Sequence, residues 1–159
     1  MDDFSALAQA VDDFCQLIEN LPPETLQEKT WGPQAILAHL VYYHELYIKQ
    51  AQAFLDDTPT KLFQGPYYEL NAQVVKNCRR IPIPILVRRF QSANRRLGKI
   101  YRACDPEQVI VPIKQGVQPH RLDKLVRAVT SHVRNHQRQI EKDWVRRKPR
   151  ARDVRRSQR

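Results

Sequence analysis

Glycine is scarce in this chain of 159 residues, four in all, and runs that alternate apolar with polar are few. Both scarcities argue against a sheet-rich fold with tight hairpin turns and for an all-helical one. No stretch has the length and apolarity of a membrane span. Residues 1–15 carry acids where a signal peptide would carry Lys or Arg, so a soluble, cytoplasmic protein is expected, with no membrane partner. Cysteine is sparse too: Cys15, Cys78 and Cys104 have no metal-type spacing, and an odd number excludes complete pairing. Reduced thiols are expected, with Cys15 on an apolar helix stripe as a small core residue.

What the chain has is enough length for one domain with a real core, and a net charge of +10. That charge resembles a nucleic-acid signal until it is located. Residues 145–159 hold eight Lys and Arg against Asp153, a net +7, which leaves +3 for everything else. The basicity belongs to a tail. Residues 146–159 have almost no apolar side chains to offset the entropy of ordering, so a disordered Arg-rich extension is expected after a domain at 1–145. No aromatic residue is interleaved with its arginines for base stacking, so nucleic acid is expected only as a weak, salt-sensitive contact.

Along the chain, Phe4, Leu7, Ala8, Val11, Phe14, Cys15 and Ile18 recur at helical spacing behind a capping Asp2 or Asp3. Pro22-Pro23 ends that helix. Gly32-Pro33 opens a second, striped by Ile36, Leu40, Tyr43, Tyr47 and Ala51 and stopping near Asp56-Asp57-Thr58-Pro59. A shorter helix at Tyr67–Cys78 follows, and Ile81-Pro82-Ile83-Pro84 breaks the pattern. A third long helix then carries Leu86, Phe90, Ala93, Leu97 and Ile100, with its arginines outward. Residues 105–119 are irregular, with Val109–Val111 as a brief extended piece. The fourth long helix, from about Arg121 to Arg147, is striped by Leu122, Leu125, Val126, Val129, Val133, His136, Ile140 and Trp144. Four long amphipathic helices in this length predict a four-helix bundle.

His132 and His136 stand four residues apart, so on a helix both imidazoles share a face, one turn apart. Such a pair can hold one metal ion with a third ligand from a facing helix, leaving a position open. His39 lies between Ile36 and Tyr43 on the helical wheel and points inward. His44, five residues on and about 140° round the helix, cannot share a site with it. It is read, like His120, as a solvent or loop residue, and Glu45 as a surface charge.

These pieces resemble a known family. The run from Trp31 to Leu40, with its tryptophan and later His-Leu pair, is similar to the second-helix signature of the DinB/YfiT-like superfamily. His132-x-x-x-His136-x-x-Gln139-Ile140 resembles its last-helix signature. Leu70-Asn71-Ala72-Gln73 followed by Ile85–Phe90 looks like the ClbS/DfsB branch, and the resemblance spans residues 3–145. It implies a four-helix bundle in which His39, His132 and His136 ligate a divalent metal. Three neutral imidazoles suit zinc or nickel. Asn135 and Gln139 are then the partners expected to fix imidazole tautomers, and Tyr43 and Tyr47 are expected to line a ligand pocket. Where the ClbS/DfsB branch usually has tryptophan and then glutamate after the second-helix histidine, this chain has Tyr43 and His44.

Three functions stand open at this level. The first is a metal-dependent hydrolase or thiol transferase acting on a small electrophilic molecule, in detoxification or self-resistance. The second is a metal-independent ClbS/DfsB-like protein that binds or sequesters a small molecule. The third is nucleic-acid or partner binding through the basic tail. A homodimer is also expected from the resemblance.

Overall fold

The computed structural model describes residues 2–26 and 31–145. Six α-helices run through it: α1 (Asp3–Asn20), α2 (Pro23–Leu26), α3 (Pro33–Leu55), α4 (Tyr67–Cys78), α5 (Ile83–Ala103) and α6 (Leu122–Ile140), the last continuing into a π-helical turn, Glu141–Val145. The four long ones, α1, α3, α5 and α6, pack into the expected bundle; α4 leans on α3. The basic segment 146–159, for which disorder was expected, lies outside the described residues. Among the described residues no helix is long and apolar enough to cross a membrane.

Local chemistry sets the helix ends. Asp2 is the residue that caps α1, its carboxylate accepting from the Ser5 amide at 2.7 Å. Asp3 instead receives Arg127 Nε of α6 at 2.7 Å and ties the first helix to the last. Pro33 sits in the first turn of α3, and prolines flank the start of α5, where their missing N–H groups cost nothing.

Phe14 of α1 and Phe90 of α5 meet edge to face at 6.0 Å in the middle of the core. α3 departs from the single stripe expected of it. Every residue from Ala35 to Val41 is buried, and so are Tyr43, His44, Tyr47, Ile48, Gln50 and Ala51. A helix covered nearly all round is a central helix, walled here by α4, α5 and α6. His44, expected on the surface, is therefore 1% exposed and packs edge to face on Phe90 at 4.8 Å. Glu45 is likewise no free surface charge, since its two oxygens take Arg89 Nε at 3.0 Å and Nη2 at 2.7 Å, bridging α3 and α5.

Burial of His44 has a consequence for acid stability. Loss of water pushes its pKa down to about 4, against the opposing pull of Asn94 and the Leu40 carbonyl. Tyr47 and Phe90 are its ring neighbours, and His132 adds a smaller repulsion. The unfolded chain takes this proton near 6.5, so stability is full above that pH and drains as pH falls towards 4. We expect His44→Leu to remove about 2 kcal/mol of the stability lost between pH 7 and 4.5. Chemical denaturation of both proteins at the two pH values measures it, and parallel losses would refute it.

The segment between α5 and α6 holds a two-stranded antiparallel ribbon, β1 (Ile110–Val111) with β2 (His120–Arg121), Val111 opposite His120. The extended piece at Val109–Val111 was legible; its partner strand was not. β2 and the stretch after β1 bring His120 and Ile113 to the lining of a cavity between α3, α4 and α6.

Candidate metal centre

α3 and α6 bring three imidazoles together. Nε2 of His39 lies 3.0 Å from Nε2 of His132, and the ring of His136 is 5.4 Å from His39 and 4.5 Å from His132, centre to centre. One nitrogen from each of the three lies within 4.8 Å of the others. Helical pitch explains the pair on α6, and the central position of α3 explains why His39 reaches them.

The tautomers follow from the partners. Asn71 of α4 presents its Oδ1 3.2 Å from His39 Nδ1, and the same oxygen accepts from the Tyr43 hydroxyl at 3.1 Å. An amide oxygen only accepts, so Nδ1 of His39 carries the proton and Nε2 keeps its lone pair. Gln139 Oε1 stands 3.3 Å from His136 Nδ1 and does the same there. The Nε2 of His136 is then a buried lone pair with no hydrogen-bond partner among the described residues. A buried acceptor left so is costly, by about 1–3 kcal/mol.

Burial is graded across the cluster. His39 is buried, His136 half-buried and His132 exposed, so the site opens to solvent on the His132 side. Desolvation pushes His39 down to about 4, with His132 and His136 adding repulsion. Desolvation and His136 together take His132 to about 4 as well. His136 is also lowered by desolvation, with Gln139 opposing. All three are neutral at physiological pH, the state in which an imidazole ligates a metal.

The residues present fit a divalent ion. Nitrogens bound tetrahedrally at zinc distances stand about 3.3 Å apart, close to the His39–His132 spacing, and the orphaned His136 nitrogen gains the partner it lacks.

Of the residues expected to orient the imidazoles, Gln139 meets His136, but Asn135 does not meet a ring. It is exposed and accepts from Arg138 on its own helix. A side chain one position before His136 is turned about 100° from it, which carries the amide off the shared face. Asn71 fills the orienting role instead. Tyr43 and Tyr47 do line a cavity of about 370 Å³ beside the cluster, together with Tyr67, Asn71 and His120. Burial pushes the Tyr43 phenol up to about 12, so it stays a neutral donor. Tyr67 and His120 had no signal in the sequence, since one opens a short helix and the other lies beyond an irregular stretch. Cys15 is buried and its thiol pushed up to about 12 by desolvation, which makes it an inert core residue.

Comparison with known proteins closes on the same architecture. Searches of curated proteins and of solved structures each returned no match. The model of one family, described as the DinB superfamily, matches residues 6–140, a span that holds all three histidines together with Asn71 and Gln139. The chain belongs to the DinB superfamily.

Proposed function

We propose that this protein holds one divalent zinc or nickel ion with His39, His132 and His136, and acts as a hydrolase or thiol transferase on a small electrophilic molecule bound in the adjoining cavity. The observation that carries the reading is the convergence of two oriented lone pairs, on His39 and His136, beside the solvent-exposed His132. A bound ion supplies Lewis acidity, which polarises an electrophile or stabilises the conjugate base of a weak acid.

The chain's own residues do the rest. Asn71 fixes the His39 ring and, through the same oxygen, the Tyr43 phenol. Tyr43 and Tyr47 face the bound molecule with rings and undissociated hydroxyls, while Leu125 and Val129 of α6 give it apolar wall. Among the described residues no carboxylate, lysine or arginine lines this cavity, so its preference is for an uncharged substrate.

Elemental analysis of native protein purified without a histidine tag is the test. We expect about one equivalent of a single divalent metal; less than about a tenth would overturn the reading. In that event, thermal stabilisation by an apolar ligand in the presence of a chelator would support the metal-independent ClbS/DfsB-like binding role instead.

A further inference from the structure

A second concavity, an open groove of about 520 Å³, shares Asn71 with the first and has a different chemistry. Its floor comes from one stripe of α4. Leu70 and Val74 of that helix turn into the core, whereas Tyr68, Ala72, the adjacent Val75 and Lys76, and Arg79 just past the helix end follow one another at about one turn on the groove side. The opposite wall is Trp31, just before α3.

Three features of this groove point to one kind of ligand. Large aromatic surface is left to solvent, Trp31 at 37% and Tyr68 at 72%. Among the described residues Lys76 and Arg79, about one helical turn apart, are the charged residues in the wall, and both are cationic. Glu69, whose carboxylate lies 3.5 Å from the Tyr68 hydroxyl, is not part of that wall. Finally, Asn71 Oδ1 is already engaged by His39 and Tyr43, which leaves its N–H₂ group to donate.

We infer that this groove binds a planar organic anion, an aromatic ring bearing a carboxylate, with the ring against Trp31 and Tyr68 and the carboxylate on Lys76 and Arg79. The guanidinium fork matches a carboxylate in shape, and the lysine adds a second charge. The aromatic rings supply a flat apolar face. Trp31 also packs edge-on against His39 at 5.3 Å, so an anion held here lies alongside the imidazole cluster. The groove is thus placed to dock a second reactant beside the first cavity. The inference stands on the groove's own residues and not on the metal reading.

Trp31 and Trp144 are the two tryptophans of the chain, so in a Trp144→Phe background fluorescence reports on Trp31 alone. Benzoate should quench it saturably, and benzamide, of the same shape without the charge, should bind about tenfold more weakly. Cyclohexanecarboxylate, charged but not flat, should also be weaker. The Lys76→Ala/Arg79→Ala double variant changes two exposed side chains and should lose about tenfold in benzoate affinity. Calorimetric titration of the unmodified chain gives the same ranking without the Trp144 substitution. Benzoate binding should persist in the presence of a chelator, which separates this site from the metal. Equal affinity for benzoate and benzamide, an unaffected double variant, or no saturable binding by either method would overturn the inference.

Discussion

His136→Ala should leave the folded chain with less than about a tenth of an equivalent of metal, and weaken affinity for added zinc by more than about a hundredfold. The magnitude follows from the ligand count. Loss of a residue that merely orients a ligand costs about 10–100-fold, and loss of a ligand from a three-residue site must cost more. The fold should survive. His136 is half-buried; its Nε2 has no hydrogen bond to lose among the described residues, and its Nδ1 gives up only the contact with Gln139 on its own helix. His132→Ala, at the exposed edge, should lose metal to the same degree with still less effect on the metal-free chain. Elemental analysis with a denaturation curve for each variant separates the two effects. Variants that kept their metal would mean that the ion, if held, is held elsewhere.

Gly98→Val should lower the melting temperature by about 10 °C, the largest effect on stability expected of any single substitution proposed. Gly98 is buried on α5 where that helix crosses Phe4 of α1. A Cβ at this position would sit 2.5 Å from Phe4 Cε1 and 2.9 Å from Cζ. The ring has little room to yield, being 2% exposed, with Tyr101 5.7 Å away and Arg102 over its face at 5.2 Å. Overpacking a tight core costs about 1–3 kcal/mol, and a branched side chain against an aromatic ring belongs at the upper end. Phe4→Leu in the same chain should restore part of the loss, because the clash is between those two residues. Additive effects in that double-mutant cycle would place the strain somewhere else.

Gly98 also shows where a reading of sequence stops. A glycine inside a helical pattern is visible, but the ring that requires it lies ninety-four positions away. The same holds for the site. The His132–His136 spacing and the inward turn of His39 were legible, because both are consequences of helical pitch within one segment. Asn71 was not, since its contact with His39 depends on how α4 docks on α3, and α4 by itself is a short helix of ordinary composition. Asn135 misled for the opposite reason: proximity in sequence to two histidines is not proximity to their rings.

His44 is the plainest case. Counted against a single stripe it falls on the outside of its helix, yet α3 is covered on nearly every side and the imidazole is buried. A wheel gives the angle between two residues; it cannot say how many neighbours surround the helix. By itself, then, the sequence determined what is periodic and local: an all-helical chain, where its four long helices begin, the pairing of His132 with His136, and the concentration of charge beyond Trp144. Only the tertiary structure decided which helix is central, which amide orients His39, that a neutral cavity lies against His39 and His132, and that a cationic aromatic groove lies behind Trp31. Those are contacts between segments far apart in the chain, and their free energy resides in packing that no single segment encodes.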